Sequence, residues 1–74
     1  MVRVYTKPNC VQCNMTKKYL DDREVEYDTV DITKDEEALD KIINKGFKAA
    51  PVVETDTEWW AGFQPDLIDK HIVS

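Results

Sequence analysis

At 74 residues the chain has room for one domain, close to the size below which a hydrophobic core needs staples or metals. With 42% hydrophobic and 34% charged residues, only 2 Gly and 3 Pro, and no low-complexity run, it has the composition of an ordinary soluble globular protein. A net charge of −5 argues against nucleic acid as a partner, and no apolar run approaches the roughly 18 residues of a membrane span.

Met1 leads straight into a strand-like segment, which leaves no room for a signal peptide and makes the cytoplasm the expected location. "VRVY" (Val2 to Tyr5) alternates apolar and polar residues and predicts a first strand, broken by Lys7-Pro8-Asn9. A helix follows from Cys10 or Val11 to about Arg23. Val11, Met15 and Tyr19 recur there every four positions with Leu20 beside them, and no Gly or Pro interrupts. "EYDTVDI" (Glu26 to Ile32) alternates again and predicts a second strand.

Thr33 and Glu36 form a T-x-x-E capping box for a second helix, which carries Leu39, Ile42, Ile43 and Phe47 on one face and stops at Gly46. Two strand-helix units in series imply a parallel strand pair. "PVVE" (Pro51 to Glu54) and "EWW" (Glu58 to Trp60) flank Thr55-Asp56-Thr57 at hairpin spacing. After Gly62, Pro65 at a first helical position opens a last short helix with Leu67, Ile68 and Ile72 facing inward. Met15, Leu39, Ile42 and Ile43 read as core, and "KDEEALDK" as the solvated face of the second helix. His71 reads as a solvated residue of the last helix.

The order βαβαββα carries a C-x-x-C, Cys10 and Cys13, at the first strand-to-helix junction. It resembles the thioredoxin superfamily in its smallest, glutaredoxin-like form. The implied fold class is α/β, a four-stranded mixed sheet flanked by three helices in a single domain over residues 1–74. More narrowly the chain resembles the NrdH-redoxins, through "VYTKPNCVQC", "KGFKAAPVV" and "WAGFQPD". Val11-Gln12 stands between the cysteines where glutaredoxins usually have Pro-Tyr. Two positions depart from the subfamily: Ala61 replaces the usual Ser, and Gln64 a position that is often Arg.

A dithiol that shuttles electrons needs one ionised thiol near neutral pH, and a free Cys is only a few per cent ionised there. At the helix start Cys10 would face unsatisfied N–H groups and the positive end of the helix dipole, with Lys7 nearby as a thiolate-stabilising charge. Residues 1–20 contain Arg3, Lys7, Lys17 and Lys18 and no acid, so they carry +4 against −9 for the rest. Cys10 is the expected nucleophile, and Cys13, one turn deeper, the resolving thiol of a redox-active disulfide.

Two plainer readings compete. A structural staple of four residues would constrain the unfolded chain by only about 2 kcal/mol. As metal ligands, the cysteines supply half of a tetrahedral site, and His71 is the sole other soft ligand. The expectation is no bound metal, with a metal or iron–sulfur carrier dimerising through the cysteines as an alternative.

The resemblance implies the remaining site. The proline matching Pro51 is cis and packs beside the C-x-x-C, which leaves the backbone of Ala50 to pair with a substrate segment. Val11, Gln12, Trp60, Gly62 and Phe63 are the expected partner contacts. Of Trp59 and Trp60, adjacent in a strand, one should be core and the other exposed.

By resemblance the activity is that of a dithiol-disulfide oxidoreductase that donates electrons to ribonucleotide reductase as a monomer. It would bind no cofactor of its own, with NADPH used indirectly through a flavin-containing thioredoxin reductase. The rival is a glutathione-dependent glutaredoxin. Those proteins usually carry Thr-Val-Pro and Gly-Gly-x-Asp where this chain reads Ala49-Ala50-Pro51 and Ala61-Gly62-Phe63-Gln64.

Overall fold

A computed structural model describes residues 1–73. Their elements are β1 (Arg3–Thr6), α1 (Val11–Asp22), β2 (Asp28–Asp31), α2 (Glu36–Asn44), β3 (Val52–Glu54), β4 (Trp59–Ala61) and α3 (Pro65–Ile68), the last continued by a π-helical turn, Asp69–Val73. The sheet order is β2-β1-β3-β4. β1 pairs with β2 in parallel, while β1–β3 and β3–β4 are antiparallel. The expected βαβαββα arrangement is present, with β1 and β4 shifted one residue later and β2 and β3 shorter than expected.

The two inner strands set the core because their side chains alternate between the faces of the sheet. Val4 and Val53 point to one face and join Leu20, Trp60 and Ile68; Tyr5 and Val52 point to the other and join Ala38 and Ile42. Helices α1 and α3 cover the first face and α2 the second.

Several apolar positions are not where the sequence pattern places them. The buried face of α1 is Cys13, Thr16 and Leu20, whereas Val11 and Met15 are 73% and 44% exposed. Thr16 tolerates complete burial because its hydroxyl donates to the Gln12 carbonyl at 2.9 Å. The 13-16-20 spacing is helical, but a cysteine and a threonine do not register as an apolar stripe. On α2, Ile42 is buried and Leu39 half-buried, while Ile43 is 54% exposed and outside the core.

The capping box is also corrected. Asp35 is the N-cap of α2 and its carboxylate accepts from the Ala38 N–H at 3.1 Å. Thr33 is engaged elsewhere: its N–H and hydroxyl both donate to Asp31, at 2.8 and 2.6 Å, which holds the Asp31 carboxyl below the usual carboxylate range. The helix ends as expected at Gly46, whose φ of +93° a side-chain-bearing residue would adopt only with strain.

The hairpin turns without glycine. Thr55 Oγ1 accepts from the Thr57 and Glu58 N–H groups at 3.2 and 2.8 Å, and the Thr55 N–H donates to the Glu58 carbonyl. Pro65 occupies the first turn of α3, where a missing N–H costs nothing. Ile68 is fully buried, and Leu67 and Ile72 pack on the same cluster from half-buried positions.

Two outcomes follow from this packing. Leu20→Ala, which empties a fully buried site between α1 and the sheet, should cost about 2–5 kcal/mol, read as a lowered urea midpoint with unchanged slope. The Tyr27 hydroxyl donates to Asp21 at 2.8 Å, and burial together with this bond pushes its pKa up to about 12. The folded state thus holds that proton more tightly than the unfolded state, and the stabilisation is present below about pH 10 and lost as pH rises through about 12. Urea midpoints of the wild type should fall more steeply over that window than those of Tyr27→Phe; equal slopes would refute the assignment.

Candidate active site

The site forms where β1 hands the chain to α1. Asn9, with φ of +58°, turns the backbone sharply, and asparagine tolerates this left-handed conformation better than most residues. Cys10 is then extended and takes the N-cap position, where its Sγ accepts from the Cys13 N–H at 3.2 Å. A sulfur thus does what a Ser or Asp oxygen does at an ordinary helix start.

Cys10 and Cys13 are joined as a disulfide, with Cα atoms 5.2 Å apart. Cys10 is 8% exposed and Cys13 only 1%, so a partner reaching the bond from solvent meets Cys10 first.

The second wall is the segment before β3. The Ala50–Pro51 bond is cis, as the resemblance implies, and Pro51 is fully buried. The Ala50 carbonyl oxygen lies 3.9 Å from Cys10 Sγ. Ala50 itself is half-exposed.

The third wall is the loop after β4. Gly62, at φ +83°, donates its N–H to the Pro51 carbonyl at 2.8 Å, and the Phe63 N–H donates to Gln12 Oε1 at 3.0 Å. A Cβ on Gly62 would stand 3.3 Å from that same Oε1, so both backbone freedom and close approach favour glycine here. Gln64 Nε2 donates to the Ala61 carbonyl at 2.8 Å, so the position that departs from the subfamily still ties its loop. Phe63 is half-buried, edge-on to Tyr19 at 5.7 Å between ring centroids.

The structure therefore brings Cys10, Cys13, Gln12, Ala50, Pro51, Gly62 and Phe63 together. Val11 is beside them and points to solvent. Lys7 is exposed in the β1–α1 loop, and no ion pair or hydrogen bond holds it against Cys10. Trp60 is corrected: it is 5% exposed and packed among Val4, Leu20, Val53 and Ile68, because β4 turns it to the α1 face. It is thus not available as a partner contact. Trp59 is the half-exposed member of the pair, stacked on Tyr5 and Phe47, with the Lys41 and Lys45 ammonium groups over its ring.

Sequence reasoning missed the span between Gln12 and Phe63, 51 residues apart, since no local pattern reports such a contact. It also missed Thr16, buried one turn beyond Cys13. Among the described residues, no group of three or more His, Cys, Asp or Glu side chains is placed to hold a metal ion. Among the same residues, no helix is long and apolar enough to cross a membrane.

This geometry has relatives. Residues 2–60 match the family described as Glutaredoxin. The glutaredoxin-like protein NrdH of Lactococcus lactis subsp. lactis is 43% identical over 70 residues, covering 95% of this chain and 97% of that protein. The glutaredoxin-like protein NrdH of Salmonella typhimurium is 36% identical, covering 93% of this chain and 85% of its own. The solved NrdH-redoxin of Escherichia coli superposes with a TM-score of 0.92 at 31% identity, covering 95% of this chain and 92% of that one, and shares its thioredoxin-like fold. With its paired cysteines at a helix N-cap, the chain is a thiol-disulfide oxidoreductase and belongs to the glutaredoxin family, in its NrdH-redoxin branch.

Proposed function

We propose that this redoxin donates electrons to ribonucleotide reductase and is recharged by NADPH through a flavin-containing thioredoxin reductase. The observation that carries the assignment of roles is the unequal access of the two sulfurs, 8% exposure at Cys10 against 1% at Cys13. The relatives named NrdH, and the thioredoxin-like activity profile stated for the Escherichia coli protein, support the choice of partners.

In the reduced protein the Cys10 thiolate attacks a disulfide of the partner and forms a mixed disulfide, and one partner sulfur leaves as a thiolate. The Cys13 N–H, 3.2 Å from Cys10 Sγ, favours negative charge on that sulfur. Cys13 then gives up its proton and attacks Cys10, which releases the second partner thiol and closes the Cys10–Cys13 disulfide. Two electrons have moved to the partner. The half-exposed backbone at Ala50 lies beside the reacting sulfur and offers an extended segment of the partner a strand-like neighbour. The nicotinamide and flavin belong to the reductase, and this chain carries electrons only on its cysteines.

A coupled assay should show NADPH oxidation with thioredoxin reductase and a disulfide substrate, and little with glutathione plus glutathione reductase. Turnover confined to the glutathione system would overturn this reading. Cys13→Ser should accumulate a mixed disulfide with its partner, visible on non-reducing gels, and Cys10→Ser should not. Trapping by Cys10→Ser alone would reverse the two roles.

A further inference from the structure

On the α2 side of the sheet a single helix faces four strands, and its buried residues Ala38 and Ile42 pack on Tyr5 and Val52 of the inner pair. The margin at β4 is finished instead by Trp59, which is half-exposed, with the Tyr5 and Phe47 rings nearly parallel to it at 5.7 and 6.3 Å between centroids. The Lys41 and Lys45 ammonium groups lie over the same indole, 5.2 and 4.7 Å from its centroid.

The carbonyl end of α2 favours cations nearby, which accounts for lysines in its last turns but not for two of them gathered on one ring. Like charges four positions apart on a helix repel each other. Glu54 answers only part of this charge: its two oxygens lie 3.6 Å from Arg3 and 3.6 Å from Lys41, and one of them also accepts from the Tyr5 hydroxyl. Lys45 has no carboxylate at ion-pair distance among the described residues. Three cations thus face one carboxylate here, an excess of positive charge on a chain whose net charge is −5.

The patch lies within reach of the cysteines. Trp59 pairs with Glu54 and Ala61 with Val52, so Trp59 stands four residues of chain from the level of Ala50, at most about 14 Å. A partner segment extended beside Ala50 covers that distance in about four residues. A nucleobase would have to displace the ammonium groups to stack on the indole, whereas a carboxylate adds to them and lays its methylene stem on the ring edge.

We propose that Trp59, Lys41 and Lys45 form a docking surface for carboxylate side chains of the partner protein, placed about four residues from the cysteine that Cys10 attacks. This rests on the reading above, in which the partner segment lies beside Ala50.

The test uses protein reduced with dithiothreitol and then freed of it, with no reductase present. Two short peptides each carry a single cysteine as its 2-thiopyridyl disulfide; one has glutamates about four residues to either side of that cysteine, and the other has glutamines in their place. The Cys10 thiolate attacks the peptide sulfur, the S–S bond breaks, and the pyridine thiolate leaves and takes a proton from water, so its absorbance reports the rate. At low ionic strength the net negative charge of the chain would by itself favour the glutamine peptide. The patch should reverse this preference and make the glutamate peptide about three- to tenfold faster in the wild type. That ratio should fall to one or below in Lys41→Gln/Lys45→Gln, and persist in Lys18→Gln/Lys34→Gln, which removes the same charge elsewhere.

A wild-type ratio of one or less would overturn the proposal. So would a ratio that survives the loss of Lys41 and Lys45, or one that falls as far in the Lys18 and Lys34 variant, because overall charge and not the patch would then set the preference. None of these rates involves NADPH or thioredoxin reductase, so the coupled assay can fail while this preference stands, and the reverse.

Discussion

The structure of the site depends on one capping contact, the Cys13 N–H donating to the sulfur of Cys10. A helix start must satisfy its free N–H groups, and here the group that does so is also one sulfur of the redox pair. The demand of the helix for a cap and the demand of thiol chemistry for stabilised negative charge are met by the same bond. Asn9 makes it possible by turning the chain between β1 and α1, and the Thr16 bond to the Gln12 carbonyl lets α1 bury a hydroxyl one turn beyond Cys13.

Around this contact the fold supplies two fixed walls. The segment at Ala50 is held by Pro51, buried at the head of β3, and the loop at Phe63 is held by bonds to Pro51, Gln64 and Gln12. Each wall adjoins an inner or edge strand of a four-stranded sheet, the first running into β3 and the second leaving β4, so its position inherits the rigidity of the core. Loops tied in this way leave Cys10 the more accessible of the two cysteine sulfurs, 8% exposed against 1% for Cys13.

Much of this was legible in the sequence. The element order, the placement of Cys10 at a helix start, the end of α2 at Gly46 and the entry of α3 at Pro65 are all local, because each depends on residues within one or two turns of each other. What was not legible is what depends on distant partners. The burial of Thr16 needs a backbone acceptor that only the folded helix provides, and the cap of α2 passes to Asp35 because Asp31 captures Thr33. The choice between Trp59 and Trp60 is a matter of which face β4 turns inward, which a strand pattern of two identical residues cannot fix. Gln12 and Phe63 illustrate the same limit at the site itself, since their bond exists only once α1 and the β4–α3 loop share the sheet's end.

The ends of the sheet carry a further consequence of the Gln64 bond. A sheet this small has two open margins, and a row of free carbonyl and N–H groups at a margin invites a foreign strand to extend it. β2 meets that hazard with the carboxylates Asp28 and Asp31, and β4 meets it by brevity and by surrendering its Ala61 carbonyl to Gln64. A chain whose cysteine pair opens and recloses in thiol-disulfide exchange is thereby shielded at its margins from the slower, irreversible contact of sheet with sheet.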